Sequence, residues 1–324
     1  MTDQLAGSSE EAVEVADAYH DANGKPIMAE SIVIYIDALA TKVYWEEESD
    51  ATKLEFVRDW VRQFNEFRGD LELYRDLIGG PETPQPPMAV TFTDNVAVAI
   101  PLPPKHIETL AALAEHRLPA GAEAAEQAHE ALDWLMGMVF SLQIHILRLV
   151  WGHSRLFRGA VRVGPVYADD WTIIGDGLID AVMGEEVGTI VPAIQLPEWM
   201  VQAYELDASF YKNHRDSSLY QTLGHTKFTA GGVDYSFVFL SYLTCPDHAE
   251  YALWRDEVIP AHKAMVTKGL DTNANSHVRF KFLWTAVYHN WVVADNGLDE
   301  SLRIDLENEL AARSIIVQSL DKAT

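Results

Sequence analysis

The stretch AVTFTDNVAVAI, residues 89 to 100, limits the folds open to this chain more than any other. Val90, Phe92, Val96, Val98 and Ile100 read as one buried β-strand, yet Asp94 stands in the middle of it. An unpaired charge there carries a heavy desolvation cost. A second run, SIVIYIDALA from Ser31, is almost continuously apolar and has Asp37 near its end. Taken singly, each aspartate reads as a turn or cap residue. Taken together, they are two carboxylates that neighbouring strands could bring to one sheet edge, and the residues alone leave both readings open. Such a pair repels unless protons or cations intervene, and Mg²⁺ or Mn²⁺ ions bridging to phosphate oxygens relieve that repulsion.

The segments around these runs alternate between strand and helix. Leu54, Val57, Trp60, Val61, Phe64 and Phe67 recur at helical spacing, so a helix is expected from about residue 52 to 70. GGPETPQPP, from Gly79, is a loop by composition. The region from His106 to Glu126 reads as helix with a break at LPAG, and Ala131 to Leu149 as a strongly apolar helix. RGAVRVGPV is expected as a strand. The segment beginning TIIGDG is expected to turn helical after Gly177, and TIVPAI is a short strand. VDYSFVFLSYL adds a strand, followed by two helices that include HVRFKFLWTAVYHNWVVAD. The expected fold class is α/β (α+β), a mixed sheet covered by helices. The expected organisation is a flexible acidic lead over residues 1–29, a core over 30–200 and a C-terminal strand-plus-helices extension over 201–324 packed on that core.

Charge narrows the function classes. With 24 basic against 49 acidic residues, a formal charge of −25, the chain repels a phosphodiester backbone, which argues against general nucleic-acid binding. A single nucleotide held through metal ions remains open. The lone cysteine, Cys245, rules out an intramolecular disulfide and receives no role. No apolar run approaches the roughly 20 residues of a membrane span, and the first residues lack a basic region followed by an apolar one, so a cytoplasmic protein is expected.

The order SIVIYIDALA, TFTDN, GHSRLFRGAVRVGPV and IIGDGLIDAVMGEE resembles the class III nucleotide cyclase core. Within that superfamily it is most similar to the bacterial pyrimidine cyclases of Pycsar anti-phage systems, a likeness that extends to KFLWTAVYHN at 281–290. The resemblance implies that Asp37 and Asp94 hold two divalent cations, with the backbone around Ala38 near the triphosphate and Asp94 at a hairpin tip. It further implies a homodimer that makes cUMP or cCMP for a separate effector, with UTP the favoured substrate.

The pattern also departs from the purine enzymes. Val90 stands where a purine-reading lysine is usual, four residues before the second aspartate. Ile179 and Met183 fall on the ribose-binding asparagine and the transition-state arginine. Arg158 and Arg162, an even number of residues apart on one strand, are the candidates to neutralise phosphate charge. The plain alternative is that one of them only pairs with a surface carboxylate. Tyr44 and Trp45 are placed either to constrict a base pocket or to pack the next helix, and Asp180 is a candidate ribose or base ligand. His145, His153, His289 and Asn290 read as packing residues. The competing classes are a degenerate cyclase-like nucleotide-binding module and another two-metal phosphoryl-transfer enzyme.

Overall fold

The structure, a computed structural model, describes residues 17–39, 49–74, 87–92, 95–115, 117, 121–188, 190–200, 223–230, 232–245, 250–272, 276–306 and 317–322. Its first half runs β1 (Ala29–Ala38), α1 (Asp50–Tyr74), β2 (Met88–Phe92), β3 (Asn95–Pro101), α2 (Pro104–Ala114), α3 (Ala122–His153) and β4 (Phe157–Ala168). Within this unit the strands lie side by side as β2-β3-β1-β4, each neighbouring pair antiparallel. The strand order is that of the split βαβ, or ferredoxin-like, arrangement, with two helices instead of one between β3 and β4. The run expected as one strand over 89–100 is therefore a hairpin, with Phe92 paired to Asn95. A polar pair in an apolar run has separated two strands.

The chain continues through β5 (Ile173–Ile174), which pairs with β4, and α4 (Asp176–Met183), which passes into a π-helical turn at Gly184–Gly188. Then come β6 (Ile194–Leu196), β7 (Leu223–Ala230) and β8 (Val233–Leu240). A helical turn and a π turn lead into α5 (Ile259–Thr272), followed by α6 (Ser276–Asp295) and β9 (Val317–Lys322). These strands extend the same sheet as β4-β6-β8-β7-β9, with β6 parallel to β4. The fold is thus a mixed α+β one, as expected. The short strand expected at TIVPAI instead lies at Ile194–Leu196, and β7 and β9 were not expected at all.

Alternation along β1 divides the molecule. Ile32, Ile34 and Ile36 pack with Phe56, Trp60, Phe64 and Phe67 of α1 and with Trp134, Leu135, Leu142 and Ile146 of α3 in the main core. Burying each such side chain is worth roughly 1.5–3 kcal/mol, so this face holds the fold together. Polar contacts fasten α1 to α3: His145 Nε2 to Asp70 at 2.9 Å, His145 Nδ1 to Gln63 Oε1 at 3.1 Å and His153 Nε2 to Asp59 at 3.1 Å. By length and composition α3 qualifies as a membrane span, but 72% of its most apolar window is buried inside the fold. Val33 and Tyr35 face the other way, over a smaller cluster with Ala97, Ala99, Val166 and Ala181.

In the second half, α6 stacks Trp284 on Tyr288, and His289 and Asn290 bond the backbone of Leu302 and Ile304, the packing role expected of them.

Candidate active site

β1 reaches its end at Asp37, which is flanked by Asn95 of β3 on one side and Arg158 of β4 on the other. Gly159 lets β4 run close along β1, since a Cβ there would collide with the Tyr35 carbonyl oxygen. The register therefore sets Arg158 opposite Asp37 before any side chain is considered. Arg158 Nε donates to Asp37 Oδ2 at 3.0 Å, and the aspartate side chain keeps 16% of its surface exposed. Asp94, Tyr44 and Trp45 lie outside the described residues. Ala38 is buried and pairs with Phe157.

The same Arg158 Nε contacts Glu185 Oε1, a residue absent from the sequence expectations. Glu185 is 3% exposed and is carried by the π turn after α4. Such turns are rare and occur often at functional sites. Burial pushes the Glu185 carboxyl up to about 7; Arg158 and Lys281 oppose this, and Asp37 and Glu186 add to it. Lys281, from the distant α6, has its pKa lowered by burial and by Arg158, while Asp37 and Glu185 act to raise it. Two acids and two bases from β1, β4, the π turn and α6 thus share one electrostatic neighbourhood. Burial, followed by the charges of Glu185 and Asp37, also raises the Tyr35 hydroxyl.

Arg162 has partners of its own, away from Asp37. Its guanidinium donates to the Gln195 side-chain oxygen and, at 2.8 Å, to the Val161 carbonyl, and burial lowers its pKa. It also lies against Gly184, where any Cβ would strike it. Asp180 is exposed on α4 and acts on Arg162 only through its charge. Ile179 and Met183 are both 55% exposed, one turn apart on the same helix.

Glu185 had a faint signal in the GEE run after the helix, and Lys281 opens the KFLWTAVYHN stretch. Neither could be placed without the fold. The hard carboxylate oxygens of Asp37, partly exposed at a strand end, suit Mg²⁺ or Mn²⁺. Among the described residues no group of three or more His, Cys, Asp or Glu side chains converges as a metal site.

No protein-family model matches the chain, and no curated protein matches it. Among solved structures, the catalytic core of a rhodopsin-guanylyl cyclase with converted specificity, in complex with ATPalphaS, is similar at 14% identity. That match covers 66% of this chain and 96% of the other, with a TM-score of 0.33. A bacterial light-regulated adenylyl cyclase is similar at 12% identity over 72% of this chain and 100% of the other, with a TM-score of 0.29. Scores this low carry no weight by themselves, and the fold is defined by strand order and register.

Proposed function

We propose that this chain is a nucleotide cyclase, converting a pyrimidine nucleoside triphosphate, UTP favoured over CTP, to its 3′,5′-cyclic monophosphate and pyrophosphate. The observation that carries the reading is the register at the end of β1, where Asp37 lies between Asn95 and Arg158 in a split βαβ unit. In this reading Asp94, the residue before Asn95 in the chain, is the second carboxylate.

In the reaction the ribose 3′-oxygen forms a bond to the α-phosphorus, the bond from that phosphorus to the β-phosphate bridge oxygen breaks, and the hydroxyl proton leaves to solvent. Asp37 and Asp94 would hold two divalent cations, which when bound lower the hydroxyl pKa and neutralise the leaving pyrophosphate. Arg158 supplies a fixed positive charge beside Asp37, suited to negative charge developing on the phosphates. Arg162 and Gln195 brace the strand carrying it. Tyr44 and Asp180 remain the proposed nucleotide contacts.

A homodimer fits the exposed Trp171, Ile174, Ile179 and Met183, which lie within one connected segment. In this reading the product signals to a separate effector in a bacterial anti-phage system. The second reading, a nucleotide-binding module without turnover, is favoured by the apolar side chains of Ile179 and Met183, which offer no transition-state contact.

The test is incubation of the purified chain with each of the four ribonucleoside triphosphates and Mn²⁺, with mass spectrometry of the products beside an Asp94→Asn control. A cyclic pyrimidine nucleotide missing from the control supports the enzyme and names its base. Nucleotide binding without a cyclic product supports the module.

A further inference from the structure

We infer that Glu185 is a positioning residue that holds the Arg158 guanidinium at the end of β1 when the Asp37 carboxylate is drawn to a cation. The inference rests on the proposed function for its catalytic consequence, though the contact itself does not.

Arg158 Nε lies between two carboxylates, Asp37 Oδ2 at 3.0 Å and Glu185 Oε1. The two differ in burial: Asp37 keeps 16% of its side chain exposed, Glu185 3%. A cation arriving from solvent is offered Asp37, and its charge both competes for that carboxylate and repels the guanidinium. A part-buried guanidinium stripped of its acidic partner is costly to keep in place and leaves for water. Glu185 offsets that cost from the protein side: burial and the Asp37 charge raise its carboxyl to about 7, and once a cation neutralises Asp37 the charges of Arg158 and Lys281 favour its anion.

Its own location is set by the second arginine of β4. Arg162 packs against Gly184, the residue before Glu185, and donates to Gln195. Arg162 thus fixes the π turn, the turn presents Glu185, and Glu185 retains Arg158. Lys281 adds positive charge to the same neighbourhood and so makes an acid there still more necessary.

The contact can be tested without any metal. Asp37→Asn imitates a carboxylate withdrawn from the arginine, and the Arg158 Nε–H signal, assigned by its loss in Arg158→Lys, reports on the guanidinium by NMR. The signal is expected to persist in Asp37→Asn and to vanish in Asp37→Asn/Glu185→Gln. Loss in Asp37→Asn alone, or persistence in the double variant, overturns the inference. If the amide spectrum shows the double variant unfolded, Mg²⁺ is titrated into Glu185→Gln and into the unaltered protein. Loss of the signal in the variant alone is expected, and equal behaviour in both overturns the inference.

Turnover supplies the second readout. Glu185→Gln is expected to lower kcat about tenfold while KM changes by less than about threefold. In an Arg158→Gln background it should cost nothing further, whereas additive losses would show a role independent of Arg158. Absence of a cyclic nucleotide from the unaltered protein would count against the cyclase reading and leave the NMR result standing.

Discussion

The two faces of β1 come from the same ten residues and meet opposite surroundings. Ile32, Ile34 and Ile36 enter an aromatic core under α1 and α3, whereas Val33 and Tyr35 face small side chains and Asp37, at the strand end, meets three charged groups, Arg158, Glu185 and Lys281. One face is built for cohesion. The other gives up packing for a fixed arrangement of charge, and it can do so because the first face stabilises the strand they share. Stability and chemistry should therefore respond to substitution independently.

The largest break should come from the cohesive face. Trp60 of α1 is 3% exposed and stacks on Phe157 of β4 with ring centroids 5.3 Å apart. Trp60→Ala is expected to cost about 3–5 kcal/mol, a large part of the stability of an ordinary domain, read as a lower denaturant midpoint. On the charged face, Asp37→Asn should leave that midpoint nearly unchanged and lower cyclase turnover at least about a hundredfold. Parallel losses of stability and turnover in both variants would remove the distinction between the faces.

Acidity sharpens the comparison, because the faces carry shifts of opposite consequence. His145 and His153, on the cohesive side, have pKa values lowered from 6.5 chiefly by burial, against the pull of Asp70 and Asp59. Their contribution to stability is present above 6.5 and is lost as pH falls through the lower folded values. Glu185 is raised from 4.5 to about 7, so its contribution is complete below 4.5 and is lost as pH rises through about 7. Denaturant midpoints measured from pH 4 to 8 should show the acid-side fall flattened in His145→Gln. The fall toward neutrality should be flattened in Glu185→Gln.

The cohesive face was the legible one. Helical spacing of Trp60, Phe64 and Phe67 and the unbroken run to Ile36 state their own burial, because period and apolarity follow from local geometry, whereas Leu54, Val57 and Val61, read onto the same stripe, are exposed and Phe56 takes the buried place instead. Asp37 was legible for the converse reason, a charge ending an apolar strand. Arg158 was found as a candidate, but its second partner, Glu185, was not. Glu185 and Lys281 reach the site from a π turn and from α6, and proximity across such sequence distance leaves no periodic trace. The break between β2 and β3 left no trace in the apolar pattern, because the residues on both sides of it read as one run, and only the family resemblance put Asp94 at a hairpin tip. β7 and β9 escaped notice because LGHTKFTA and VQSLDK mix polar and apolar residues too evenly to stand out from loops.

The smallest effect on stability should come from the outer side of α4. Ile179 and Met183 stand one turn apart and more than half exposed, so replacing either with serine removes little buried surface. Ile179→Ser should shift the denaturant midpoint by no more than about 0.5 kcal/mol. Its effect on association should be larger, because an apolar stripe beside the charged face gains free energy only when a second surface covers it. Sedimentation of the unaltered protein should then show a dimer, and that of Ile179→Ser a weaker one, with turnover per chain falling in step with the dimer fraction. Turnover that stays constant while the dimer dissociates would mean that one copy holds a complete site. An unaltered protein that sediments as a monomer and still turns over would detach the stripe from catalysis altogether.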